Sequence, residues 1–446
     1  MGSGTGPRLL CLATAASVFL VAWESPRAHA GGVTREIAAT REIEGSPDRG
    51  DVCQAATWSG PRAIRPEGVH PRMLARYPSV AATRGGSTYI VGNDIAAFTE
   101  DTVREGPLTA WTLDARDLGR PSGSFRFVYP RAFLDSRARL HLVWAEPPAG
   151  APPIVASDWH SRPAPTSVWT AVYAPESGWS GPRKLFEDAD LRWDEMQSVG
   201  QDARADEESV HRWALVAPRA VARTPGGLRL LGLSRDSVIV TSLPAASGTY
   251  VGVASAGPNV FVGYITPAPT PAPGSDANSV FLLASSDGGA TWGEPILVSR
   301  SGATPAFDLQ TLAGPDGRVH LVWEQARRDA PSVVRHVVSA DGGRTWSAPD
   351  DLETPEETRG LRSVMDGCGT IHLVYESWAR GPSLRYLTWN GHWSPVVPLF
   401  DSLGVATNPT LHRAPDGRLM LVFVGRERGR PLGSPVATMY AELRRL

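Results

Sequence analysis

The feature that most constrains this chain is an internal repeat. "GPDGRVHLVWEQ" (314–325), "LDSRARLHLVWAE" (134–146), "GCGTIHLVYES" (367–377) and "APDGRLMLVFVG" (414–425) are variants of one unit, a tight turn running into an apolar strand. Weaker copies are "RGGSTYIVGN" (84–93), "PGGLRLLGLS" (225–234) and "AGPNVFVGYI" (256–265), which makes seven. Each follows a short strand, often opened by proline, as in "YPSVAA" from Tyr77, "YPRAFL" from Tyr129, "APRAVA" from Ala217 and "NPTLHR" from Asn408. Several lead on to a third strand, an aspartate-glycine turn and a closing phrase such as "TWGEPILV", "TWSAPDDL", "GWSGPRKL" or "HWSPVVPL".

From about residue 53 onward, short Val-, Leu-, Tyr- and Trp-rich runs alternate with Gly, Pro, Asp and Ser, and no amphipathic helix of ordinary length interrupts them. An all-β chain with four strands per unit and a period of about 55 residues has the pattern of a single β-propeller of four-stranded blades. Seven copies favour seven blades. Uneven spacing, with an insertion at 190–211 before the third repeat and a short interval before the fourth, keeps six as the alternative. The phrase "TWSGPRAI" (57–64) is a closing strand with no strands before it, whereas the last unit ends at "ATMYAELRRL" (437–446) without one. The N-terminal strand is therefore expected to complete the last blade, closing the ring and removing its open edges.

The first 30 residues read as a secretory signal peptide: Arg8, an apolar run from Leu9 to Trp23, then Ala28-His29-Ala30 as a small-residue cleavage site. That run is shorter than the ~20 apolar residues of a membrane span, and no later stretch is long enough to cross a bilayer. The product is expected to be exported, whether secreted, periplasmic or on the cell surface, with no membrane span after cleavage. Residues 31–52, with "TREI" at 34–37 and 40–43, are polar and form an expected flexible leader, leaving 53–446 for the propeller. Cleavage removes Cys11 and leaves Cys53 and Cys368, an even pair that an oxidising compartment either bridges or leaves as two thiols.

The formal charge of −2 becomes −3 without Arg8, Arg27 and Glu24, a balance that argues against a nucleic-acid partner. Of the 44 basic residues only Lys184 is lysine, so the positive groups are planar forks suited to bidentate carboxylate recognition. His141, His320 and His372 recur at equivalent repeat positions, which is the behaviour of packing residues rather than of a metal site. "PAPTPAPG" (267–274) reads as a stiff polyproline spacer. Phosphate-cradling loops, zinc-type cysteine patterns and G-x-S-x-G elbows are absent, and neither cofactor nor metal is expected.

"SSDGGATW" (285–292) and "SADGGRTW" (339–346) both fit S-x-D-x-G-x-T-W, with Asp287 and Asp341 fifty-four positions apart. The two stretches resemble the Asp box, or BNR repeat, of the sialidase-like β-propeller superfamily. Asp287 and Asp341 can accept hydrogen bonds from turn amides, Gly289 and Gly343 allow backbone angles other residues resist, and Trp292 and Trp346 can pack between sheets. A structural role is therefore expected of both boxes. The resemblance implies that they lie on the face opposite the active site.

That opposite face collects charge. The loops after the second strands, "EPPAGAPPIVASDWHSRPAP" (146–165), "EQARRDAP" (324–331), "ESWARGP" (376–382) and "GRERGRP" (425–431), each contain arginine, and Glu146, Glu324 and Glu376 open three of them. Arg76, Arg131, Arg219 and Arg362 stand at the starts of first strands. The resemblance sharpens some of these. "ARYPSV" (75–80) is similar to the family's Arg-Ile-Pro signature, with Tyr77 for isoleucine and Ala75 where an aromatic is usual, which implies that Arg76 grips a substrate carboxylate. It further implies Arg362 and Arg426 as the second and third arginines, and Asp101 in "TEDTVREG", ahead of Asp94, as acid/base. Asn408 stands where the family carries the glutamate that activates a tyrosine nucleophile. Tyr375 with Glu324 or Glu376 is a candidate replacement that no motif selects.

The expected function is binding, and hydrolysis of retaining exo-glycosidase type, of a sialic-acid-type or other acidic glycan. The alternative is a non-catalytic propeller that docks a protein or a glycan, since propellers serve many functions.

Overall fold

The computed structural model describes residues 56–64, 76–82, 88–98, 103–112, 118–119, 121, 131–135, 137–146, 167–187, 212–215, 228–234, 237–244, 249–266, 279–300, 304–354, 358–379, 381–414, 416–429 and 437–445. All of them fall in the unit Ser46–Leu446. The described elements are strands, in seven antiparallel sheets, and no described helix is long and apolar enough to cross a membrane.

We number the sheets in chain order. Sheet 1 is Arg76–Ala82, Thr88–Phe98 and Val103–Thr112. Sheet 2 is Arg131–Leu134, Leu140–Glu146, Ser167–Ala174 and Arg183–Glu187, with Gly178–Trp179 also on the third of these. Sheet 3 is Arg212–Leu215, Arg229–Ser234 and Ser237–Ser242. Sheets 4, 5 and 6 have four strands each: Thr249–Ala256, Asn259–Thr266, Ser279–Ser285 and Ile296–Ser299; Ala306–Ala313, Val319–Gln325, Val333–Ser339 and Asp350–Glu353; Thr358–Met365, Ile371–Ser377, Ser383–Trp389 and Val397–Leu399. Sheet 7 is Leu403–Arg413, Leu419–Glu427 and Ala437–Arg445, joined on its last strand by Ala56–Trp58 and Arg62–Ala63.

The pairing of "TWSGPRAI" with the strand Ala437–Arg445 is therefore seen directly, with Thr57 opposite Arg444 and Arg62 opposite Tyr440. Four-stranded units hold for sheets 2 and 4–6, while sheets 1 and 3 have three strands among the described residues. The segment "APRAVA" lies outside the described residues, and Arg212–Leu215 is the strand that pairs with Arg229–Ser234. Asp101 and the insertion at 190–211 also lie outside.

Apolar clusters join sheet 1 to 2, 3 to 4, 4 to 5, 5 to 6, 6 to 7 and 7 back to 1. The closing phrases explain part of this. Trp58, Trp179, Trp292, Trp346 and Trp393 each pack back onto the cluster shared with the preceding sheet. Partly buried at each of these interfaces, the repeated tryptophan is a repeated inter-sheet clamp.

The aspartate-glycine turns aim that clamp. The Thr345 amide and hydroxyl donate to Asp341 Oδ1 (2.9 Å) and Oδ2 (2.6 Å), Ser339 Oγ donates to Asp341 Oδ1 (2.8 Å), and Trp346 Nε1 donates to the Gly343 carbonyl (3.1 Å). Asp287 repeats the pattern with Thr291, Ser285, Trp292 and Gly289. The threonine hydroxyls first, then the threonine amides, hold both carboxyls well below the usual carboxylate range. Gly343 has φ +92° and a Cβ there would collide with Leu282, so the turn requires glycine.

The recurrent histidines are buried polar hinges of the second strands. His141 Nε2 lies 3.1 Å from Asp135 Oδ2, and His372 Nε2 lies 3.3 Å from Asp366 Oδ2 while its Nδ1 meets the Tyr386 hydroxyl at 2.8 Å. In sheet 5 the Tyr386 position is His336, whose Nε2 lies 3.0 Å from His320 Nδ1. Burial, together with the neighbouring imidazole, lowers His320 to about 3, and burial lowers His336 to about 4.

Candidate functional site

Within each sheet the turns between strands one and two, and between three and four, lie at one end, and the strand starts and two-to-three loops lie at the other, which we call the entry rim. There the leading strands carry a common irregularity. Register slips by one residue between Thr249 and Gly252, Phe307 and Gln310, Arg359 and Arg362, and Thr407 and Thr410, with a similar slip between Arg76 and Ser79. Two residues thus face one, which is a β-bulge. The first bulged residue is left-handed in four sheets: Tyr250 (φ 48°), Asp308 (φ 50°), Gly360 (φ 61°) and Asn408 (φ 52°). Gly, Asn and Asp accept that conformation at low cost, so three of the four positions carry suitable residues.

Each bulge lies against a buried ring on the second strand: Tyr264, Trp323, Tyr375 and Phe423. This decides the place of Tyr375. Its side chain is 0% exposed in the apolar cluster of sheets 5 and 6, with Leu361, Leu373 and Leu387. It is a core ring by repeat register, and as a nucleophile it has no access to a ligand.

The carboxylates of the entry rim tie one sheet's bulge to the next. Asp308, 7% exposed, accepts the Leu361 amide at Oδ2 (3.3 Å) and lies 3.6 Å from Arg362 Nη1, whose own hydrogen bond runs to the Leu361 carbonyl (2.7 Å). Gln310 repeats the link, its Oε1 accepting the Ser363 amide at 3.3 Å. One sheet further, Glu376, 6% exposed, accepts the Asn408 amide at Oε1 (2.6 Å) and the Trp378 indole at Oε2 (3.1 Å). Burial pushes the Asp308 carboxyl above the ordinary carboxylate range against the opposing pull of the Arg362 guanidinium and the Leu361 and Gly360 amides, and the charge of Glu376 adds to the rise.

Of the residues expected from sequence, the structure brings Arg362 and Glu376 into one cluster, around Asp308. Glu324 is buried at the position in sheet 5 that Glu376 holds in sheet 6. Glu146 is offset by one and matches Gln325 instead: Trp144 donates to Glu146 (3.0 Å) as Trp323 donates to Gln325 (3.2 Å). Arg426 lies half-buried at the end of the second strand of sheet 7, opposite Val405. Arg76 opens the leading strand of sheet 1, opposite Asn93. Asp308 and Gln310 are the additions, and the signal for Asp308 is a lone carboxylate at the repeat offset of Gly360 and Asn408.

Chemically, the cluster offers a guanidinium anchored from behind by a buried carboxyl, with further N–H donors in a fixed fork. No group of three or more metal-ligating side chains occurs among the described residues.

No family model and no curated protein matches the chain. Solved structures do. A protein of unknown function from Dyadobacter fermentans superposes with a TM-score of 0.51 at 12% identity, covering 88% of this chain and 99% of that one. An ulvan lyase of polysaccharide lyase family PL25 gives 0.51 at 13% identity over 86% and 95%. The same kind of lyase bound to -[GlcA(1-4)Rha3S]- gives 0.51 at 14% identity over the same shares. At these identities the likeness shows the fold alone, which is of the β-propeller type.

Proposed function

We propose that the seven sheets are the blades of one propeller closed by the N-terminal strands, of the sialidase-like type, and that the exported protein binds an acidic glycan at its entry rim. Six of the seven sheet-to-sheet interfaces that such a ring needs are present among the described residues. The observation that carries the reading is Arg362: on a leading strand, with its side chain 14% exposed, it lies beside buried Asp308 and donates to the Leu361 carbonyl, so that a planar cation is preset without ordering a mobile side chain. Arg426 and Arg76 are proposed as further arginines of the site, with Asp101 as the acid of the hydrolytic alternative. That a lyase of this fold was solved with a glucuronate-containing ligand agrees with an anionic sugar as partner.

A specific observation favours binding over tyrosine-based hydrolysis. Tyr375 is enclosed by the core, and both oxygens of Glu376 are engaged by Asn408 and Trp378. The deciding experiment is calorimetric titration with an oligoglucuronate and a sialyl oligosaccharide against a neutral glucan, for the unaltered protein and Arg362→Ala. Binding of an acidic ligand, weakened about tenfold or more by the substitution, is expected. Equal affinity for the neutral glucan defeats the reading, and release of free sugar from a sialoside favours the hydrolase.

A further inference from the structure

The entry rim of sheet 6 ends in an aromatic side chain that the fold leaves outside. Trp378 is 45% exposed, whereas the rings behind the bulges of sheets 5, 6 and 7, Trp323, Tyr375 and Phe423, are fully covered. An exposed indole is ordinarily mobile, yet two side chains hold this one and two backbone hydrogen bonds hold its loop. Its Nε1 donates to Glu376 Oε2 at 3.1 Å, and the other oxygen of Glu376 is held by the Asn408 amide of sheet 7 at 2.6 Å. Its carbonyl accepts the Gly381 amide at 3.3 Å, closing the loop in which Gly381 has φ +96°. The same loop is docked to sheet 7, where the Ala406 amide donates to the Pro382 carbonyl at 2.9 Å. The guanidinium of Arg359 lies over the ring, 5.9 Å from its centroid, and belongs to the residue immediately before the Gly360 bulge.

We propose that Trp378 is a sugar-stacking platform and that Arg359 selects a pyranose bearing a carboxylate. This rests on the acidic-glycan reading and names the subsite and the sugar class within it. A pyranose ring has an apolar C–H face that gains area against a flat indole, and a rigid ring loses little conformational entropy when it is covered. A hexuronate laid on Trp378 presents its carboxylate to the Arg359 fork, exchanging a cation–π contact for a charge-assisted one. Glu376 acts as a positioning residue, since it orients the indole through its N–H and touches no ligand.

The test titrates a tetraglucuronate and a neutral tetraglucan into the folded full chain, following both heat and tryptophan emission. Trp378→Ala is expected to lower tetraglucuronate affinity at least tenfold, Trp378→Phe to keep most of it, and Arg359→Ala to lower it about fivefold while leaving the neutral sugar unchanged. Circular dichroism melting of each variant separates lost binding from lost folding. Tetraglucuronate binding that survives Trp378→Ala but is abolished by Arg362→Ala overturns the platform and leaves the acidic-glycan reading standing. Failure of the unaltered protein to bind tetraglucuronate overturns the hexuronate platform, and failure to bind the sialyl oligosaccharide as well overturns the acidic-glycan reading. Equal losses for Trp378→Phe and Trp378→Ala overturn stacking in favour of the indole N–H.

Discussion

Asp341 and Asp308 belong to the same sheet, and their surroundings have displaced them in opposite directions. Asp341 sits on the turn rim, where neighbours within four residues supply its hydrogen-bond donors and hold its carboxyl low. Asp308 sits on the entry rim, buried, and its donors come from residues about fifty positions further along the chain, on the next sheet. The first arrangement forms as soon as its turn forms. The second exists only when two sheets are docked, so its charge is a property of the assembly. The pH dependence follows with opposite signs. A lowered carboxyl contributes stability that is lost as pH falls below its ordinary value, whereas a raised one stabilises the fold increasingly as pH falls through its raised value.

The sharpest way to break the comparison is Asp308→Ala. It leaves Arg362 and two amides facing an emptied buried site and puts alanine at φ 50°, and a loss of about 3–5 kcal/mol in urea unfolding is expected. Asp308→Asn keeps an acceptor and the left-handed conformation, and about half that loss is expected. Equal effects for Asp308→Ala and Asp341→Ala remove the distinction between the rims.

Next in size is Cys368, which is disulfide-bonded on the turn rim of sheet 6. The other cysteines are Cys11 and Cys53, outside the described residues. Trp58 packs edge-on against Tyr386 of sheet 6 at 5.6 Å, so we expect Cys53, five positions earlier, as the partner. Peptide mapping of the unreduced protein checks this, and Cys368→Ser is expected to cost about 2–4 kcal/mol.

The histidine pair gives the third effect. His320 at about 3 and His336 at about 4 stay neutral when folded, whereas unfolded histidine takes up a proton near pH 6.5, so stability falls as pH drops from about 6.5 towards 4. Between pH 7 and 5 the loss is about 2 kcal/mol per histidine. His336→Tyr copies the His372–Tyr386 contact of sheet 6 and is expected to remove about half of it, read as urea midpoints against pH. The smallest effect is that of Asp341→Ala, a modest fall in Tm measured by calorimetry, because the turn is exposed and its donors can turn to water.

What could be read from the sequence follows the same division. The repeats, the closing tryptophans and the meeting of "TWSGPRAI" with the C-terminal strand rest on local turn chemistry and on strand spacing, and each appears in the pairing of strands. The entry-rim cluster rests on contacts between repeats, and no local pattern around Asp308 in "AFDLQTLA" announces the amide of Leu361. Tyr375 illustrates the converse. Taken alone, a tyrosine beside a glutamate suggests chemistry, but aligned with Trp323 and Phe423 it is the ring behind a bulge. Arg362 is legible because it stands at the start of a first strand and the family resemblance points to it, whereas the role of Glu376 depends on which way its side chain faces.

The pairing of Ala56–Trp58 with Ala437–Arg445 has a consequence for synthesis. Ala56–Trp58 is translated long before Ala437–Arg445, and its backbone amides are without their sheet partner until that strand arrives. A nascent chain paused anywhere before residue 437 exposes a bare seam on its seventh sheet, so truncation by even a dozen C-terminal residues unzips the molecule at its N-terminal end. A permuted chain that joins residue 445 to residue 56 through a short linker and opens at a distant hairpin is expected to form this seam first.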